Sequence, residues 1–192
     1  TMHGASKGKD VKLRKEIAMA IRECLSHEGI FGALVSHGSS TVPKYIVDEN
    51  NALGGDLTNT YGIAVEELQA AISCGINKIN VDTDIRLAVT RNMKELFVKY
   101  PELRTSTSIG EIYELLEAKK SQFDPRVFLP PIMDTVMKGN IPDEDVAAIV
   151  NCVERGVKEV VGTLIVQFGS FGKAPLVEQV TLEEMIERYK KN

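Results

Sequence analysis

A short apolar run that ends in small polar residues and gives way to a helical pattern occurs twice in this chain, and that repetition limits its folding more than any other feature. The first run, residues 30–36 (IFGALVS), closes in His37, Gly38, Ser39 and Ser40. The second, residues 76–81 (INKINV), closes in Asp82, Thr83 and Asp84. Around them the apolar residues follow a helical period. Val11, Leu13, Ile17, Ala18, Ile21 and Leu25 lead up to Gly29, and Tyr45, Ile46, Val47 and Leu53 follow Pro43. Val65, Leu68, Ala71 and Ile72 lead up to Gly75, and residues 85–100 run to Pro101. Strands separated by helices form parallel sheets covered by those helices, so both runs are expected as buried strands of an α/β fold. Ligands in such folds gather at the carboxyl ends of the strands, where both polar clusters lie.

Beyond Pro101 the patterning is mostly helical, over residues 108–123, 130–139 and 143–168, with Pro130, Pro131, Gly139 and Pro142 as turn formers. Thr181 three residues before Glu184 is a capping box that opens a terminal helix. Two parts are therefore expected: residues 1–100 with strands and polar loops, and residues 101–192 as a mostly helical extension that decorates the α/β core and serves packing or assembly. The formal charge of −4 argues against a nucleic-acid partner. Lys7, Lys9, Lys12, Arg14 and Lys15 nevertheless crowd the start, either as a solvated helix face or as a local contact for an anion. The longest apolar stretches, such as residues 160–166 (VVGTLIV), are far shorter than the ~20 residues that span a bilayer. A cytoplasmic protein with no membrane partner is expected. Cys24, Cys74 and Cys152 lie far apart in sequence and are expected as buried free thiols.

The clusters admit bland and chemical readings. His37 is either a hydrogen-bonded structural histidine or a metal ligand. Gly38, Ser39 and Ser40 after it supply N–H groups and hydroxyls at an expected helix N-terminus, where the helix dipole favours an anion such as phosphate. In (β/α)8 barrels the loops after the last two strands form such a phosphate site. Asp84 reads as a helix cap. Asn80, Asp82 and Thr83 can bind sugar hydroxyls and phosphate oxygens, and the Arg86 guanidinium is either plain surface or a contact for a second phosphate, in cis or across a subunit interface. His3 and Gly4 repeat the His-Gly pair. Two imidazoles can converge on one ion, but catalytic zinc usually keeps three protein ligands.

The segments HGASKGKDVKL, LVSHGSSTVP, KINVDTDIRLA, FDPRVFL and FGSFGKA, in that order, resemble the C-terminal signatures of class II, zinc-dependent fructose-bisphosphate aldolases. The resemblance implies the last strands of a (β/α)8 TIM barrel followed by the helical extension. It implies that His3 and His37 bind zinc (Zn2+), and that Gly4, Gly38, Ser39 and Ser40 surround the phosphate of dihydroxyacetone phosphate. Asn80, Val81, Asp82 and Thr83 would make the remaining ketose-phosphate contacts, and Arg86 would reach the other phosphate from a neighbouring subunit of a homo-oligomer. Backbone carbonyls around the two His-Gly pairs would resemble the family's monovalent-cation site, for Na+ or K+. The implied reaction is aldol cleavage of a sugar bisphosphate, fructose 1,6-bisphosphate, to dihydroxyacetone phosphate and glyceraldehyde 3-phosphate. Tagatose-bisphosphate aldolases share much of the pattern, and a non-catalytic phosphate- or metal-binding module is the alternative from another class. A complete barrel takes about 250 residues, whereas two whole strands and the edge of a third are legible here. No catalytic acid or base is assigned to any residue of this chain. The expectation is an incomplete part of the enzyme, inactive alone, whose N-terminal barrel half lies in the same or another polypeptide.

Overall fold

The computed structural model of the chain describes residues 12–30, 32–58 and 60–190. Helix α1 (Lys15–His27) ends as its sequence predicts. Gly29 takes φ +68, and the turn closes with Gly29 N–H on Ser26 O and Ile30 N–H on Leu25 O, a glycine stop that satisfies the last carbonyls. Strand β1 (Leu34–Ser36) is followed by α2 (Lys44–Ala52) and α3 (Val65–Ser73), which return the chain to β2 (Ile76–Ile79). The strands pair in parallel, Leu34 with Ile76, Val35 with Lys78 and Ser36 with Ile79. An α/β arrangement with parallel strands is thus present. Full burial of the strands is not: Val35 is 42% exposed, and the ends of β1 and β2 are half-buried. With two strands in the sheet, among the described residues, the outer edges lack the neighbours that would cover them.

Helix α4 (Thr83–Lys99) begins two residues before its expected start. After a 3-10 turn at Pro101–Thr105 come α5 (Gly110–Ala118), α6 (Pro130–Met137), α7 (Glu144–Gln167) and α8 (Leu182–Lys190). Asp143 caps α7 by accepting the Val146 N–H at 2.8 Å. The capping box of α8 forms as read: Thr181 N–H donates to Glu184 at 2.8 Å, and Glu184 N–H donates back to the Thr181 hydroxyl at 3.2 Å. Among the described residues no helix is long and apolar enough to cross a membrane.

The main core is not under the sheet. It joins Val89, Met93 and Phe97 of α4 to Ile109, Ile112 and Leu116, to Phe128 and Ile132, and to Val146, Ile149 and Cys152 of α7. Helix α7 lies so close along α4 that a Cβ built on Gly156 would stand 2.8 Å from the Val89 nitrogen. Asn92 reinforces the seam by donating to Cys152 O at 3.1 Å, and Arg91 bridges Glu49 of α2 and Glu159 of α7. The expectation of a decorative extension is corrected: residues 101–192 supply eight of the eleven buried residues of this cluster, so they share the core with residues 1–100 rather than dress it. The cysteine reading is corrected too, since Cys152 is buried while Cys74 is half-buried and Cys24 exposed. Burial pushes the Cys152 thiol up to about 11, which keeps it neutral and unreactive.

Candidate functional site

The two polar clusters meet at the carboxyl ends of β1 and β2. Asn80 N–H donates to Ser36 O at 2.9 Å, carrying the strand ladder one step past β2. Its side-chain amide reaches His37 Nδ1 at 3.0 Å. The chain turns at Gly38, whose φ of +65 suits glycine. Ser39 is fully buried behind the turn, its hydroxyl 2.6 Å from that of Ser36. The N–H groups of Gly38, Ser39 and Ser40 have no acceptor among the described residues.

Helix α2 does not begin at the serines. It begins at Lys44, after Pro43. The Ser40 hydroxyl instead accepts the N–H groups of Asp82 and Thr83, each at 3.1 Å, and so caps α4. Asp84 is not the cap its sequence position suggests. It sits inside the first turn of α4, wholly buried, and its carboxylate accepts Thr41 N–H at 3.0 Å, the Thr41 hydroxyl at 2.7 Å and Val42 N–H at 2.8 Å. These bonds cross from one loop to the other, a relation that sequence spacing does not display.

A cleft of about 590 Å³ opens over these loops, lined by His37, Gly38, Ser40, Asn80, Asp82, Thr83 and Arg86 from the two clusters, and by Phe123 and Arg126 from the helical extension. Val81 is half-buried outside that lining. Arg86 is held in cis: its Nε donates to Asp82 at 2.8 Å and its Nη1 to Asp124 at 2.8 Å. Arg126 donates to the same Asp124, with Nη2 at 2.5 Å. The Arg126 guanidinium, with Arg86 adding to it, holds the Asp124 carboxyl below its ordinary value. Two guanidinium groups and two carboxylates thus balance at the cleft edge. Sequence reading placed Asp124 and Arg126 in the extension and gave them no role. The signal was the Asp-Pro-Arg order, in which Asp124 accepts the Arg126 N–H at 3.0 Å and starts the short turn Pro125–Val127.

The fit to a metal rests on His37. Ligating histidines usually have their second ring nitrogen held by a hydrogen bond, and Asn80 provides such a partner at Nδ1. The Asn80 NH2 faces Nδ1 and donates to it, which fixes the ring with the neutral proton on Nε2; a metal at Nε2 requires the Asn80 amide turned so that its oxygen accepts from Nδ1–H. Among the described residues no group of three His, Cys, Asp or Glu gathers, so His37 would be one ligand of a larger set. His3 and Gly4, with the carbonyls assigned to a monovalent cation beside them, lie outside the described residues.

Residues 1–173, which take in both clusters and the Phe123 to Arg126 segment, match the sequence profile of "Fructose-bisphosphate aldolase class-II". The chain belongs to the class II fructose-bisphosphate aldolase family. The fructose-bisphosphate aldolase of Xanthobacter flavus is 35% identical over 156 residues, covering 81% of this chain and 33% of that protein. Fructose-bisphosphate aldolase 2 of Cereibacter sphaeroides is 30% identical over 189 residues, covering 98% and 42%. The fructose-bisphosphate aldolase of Giardia intestinalis is 32% identical over 191 residues, covering 99% and 46%. This class II aldolase chain therefore spans between a third and a little under half of the length of these relatives. Helix α8 lies beyond the part that matches the family.

Proposed function

We propose that this chain carries the phosphate-binding loops and part of the metal site of a class II aldolase that cleaves fructose 1,6-bisphosphate to dihydroxyacetone phosphate and glyceraldehyde 3-phosphate. The observation that supports this reading most is the convergence of His37, Asn80 and the open N–H groups around Gly38 on one cleft with Arg86 and Arg126 at its edge. In this reading the two loops are the last strand ends of a (β/α)8 barrel, and the remaining strands belong to chain outside these 192 residues. His37, its ring held by Asn80, would be one ligand of a zinc ion, with His3 a second. That metal's chemistry when bound is Lewis-acid polarisation of the substrate ketone.

The chain's own residues do the positioning. The N–H groups of Gly38 and Ser40 would bind the ketose phosphate, with Ser39 buried behind them, which fixes the carbonyl end of the substrate. Arg86 and Arg126 would take the second phosphate by exchanging their carboxylate partners for its oxygens, since guanidinium forks suit phosphate as well as carboxylate. Asp82 and Asp124 are engaged with these arginines. The acid/base group of the reaction is therefore sought outside them.

The test is a zinc and activity assay on a polypeptide of the relatives' length that includes this chain. His37→Ala is expected to lose zinc occupancy and aldol cleavage together. Undiminished cleavage in excess strong chelator would overturn the reading.

A further inference from the structure

The loop of residues 37–42, which holds the proposed phosphate cradle, is fastened from outside itself. Val42 stands at φ +49, the one non-glycine residue with positive φ among the described residues. This conformation is costly for a β-branched side chain and persists only where surrounding bonds impose it. Those bonds come from the opposite loop, through the wholly buried Asp84 carboxylate: Oδ2 accepts Thr41 N–H and the Thr41 hydroxyl, and Oδ1 accepts Val42 N–H. The opposite loop is fastened in return by the Ser40 hydroxyl on Asp82 N–H and Thr83 N–H. Each loop caps the backbone of the other.

We propose that Asp84 is a positioning residue for phosphate binding, whose carboxylate holds Thr41 and Val42 so that the N–H groups of Gly38 and Ser40 stay open to the cleft before a ligand arrives. This inference rests on reading those N–H groups as the phosphate cradle. Both carboxylate oxygens are needed, because each faces an N–H donor. An asparagine would set its own NH2 against one of them. Released from Asp84, Val42 is expected to relax to negative φ and rotate the loop. A glycine at position 42 adopts positive φ without steric cost, so it supplies through the backbone what Asp84 supplies through hydrogen bonds.

The experiment compares Asp84→Asn, Val42→Gly and the double variant by calorimetric titration with inorganic phosphate, alongside amide hydrogen exchange. Asp84→Asn is expected to weaken phosphate binding about ten-fold, as for loss of a hydrogen bond to a charged group. Val42→Gly should change it by less than about two-fold, and the double variant should return to within about three-fold of the unaltered protein. Exchange at Thr41 and Val42 should quicken in both proteins that carry Asp84→Asn, while Val160 in α7 keeps its rate. Thr41→Val removes only the hydroxyl arm and should weaken phosphate about three-fold, which decides the matter if Asp84→Asn does not fold. Phosphate affinity in Asp84→Asn within about two-fold of the unaltered protein, or no recovery on adding Val42→Gly, would overturn the role of Asp84 alone. Absence of phosphate binding by the unaltered protein would overturn the functional reading, and the role of Asp84 with it.

Discussion

The ammonium of Lys94 is buried between α4 and the turn after α2, 6% exposed and with no hydrogen-bond acceptor among the described residues. A Cβ built on Gly55 would stand 2.6 Å from its Nζ. Burial lowers the Lys94 pKa from the ordinary 10.5, and the Glu117 carboxylate opposes this only in part. The sign for stability follows from proton counts. Between the lowered folded value and 10.5 the unfolded chain holds the proton that the folded chain releases, so stability rises with pH across that window. Below it the full penalty remains. Lys94→Met, which keeps the volume and removes the charge, is expected to raise stability by about 1 kcal/mol at neutral pH and to abolish the alkaline rise. Urea midpoints at neutral and alkaline pH check this, and a lower midpoint for the variant at neutral pH would refute it. Asp84 is the opposite case, equally buried but with three donors, which is why a buried charge can organise a loop at one position and burden a helix at another.

Helices α4 and α7 meet without the spacing that side chains usually impose, and the two glycines of α7 separate the causes. Gly156 faces α4, where an added Cβ would meet Val89 N at 2.8 Å and Val89 Cα at 2.9 Å. Gly162 lies on the outer face with nothing within 4 Å. Gly162→Ala is expected to stabilise the protein by about 0.5–1 kcal/mol through helix propensity alone. Gly156→Ala gains the same propensity but must force backbone apart, and a net loss of about 1–3 kcal/mol is expected. Thermal unfolding of the two variants should shift in opposite directions. A rise in both would mean that α7 can slide away from α4 without loss of core contact. The same seam carries Arg91 between Glu49 and Glu159, which ties α2 and α7 to α4.

Apolar side chains stand exposed on several faces of the described residues. Ile17 and Ile21 of α1, with Val35 of β1, line an open groove beside His37, and Val157, Val161 and Ile165 form a stripe along α7. Exposed apolar surface of this kind marks interfaces or aggregation sites. The 192 residues expressed alone are therefore expected to aggregate into mixed sizes and to bind the dye ANS, and a polypeptide of the relatives' length to bind far less dye. A monodisperse, dye-silent 192-residue protein would contradict this.

Legibility divides along the distance over which each feature is written. Helix periods, the glycine stop at Gly29, the capping box at Thr181 and the strand pair ending in two polar clusters were readable because each depends on neighbours a few positions away. Family membership was readable too, from short segments in order. What could not be read was which groups those neighbours leave free. Ser40 becomes the cap of α4, Asp84 the clamp on Thr41 and Val42, and Arg86 shares Asp124 with Arg126, through contacts spanning some 38 to 43 positions. The extension took its share of the core for the same reason. Local spacing states which face of a segment is apolar, but the partner that face is pressed against is chosen by packing across the whole chain.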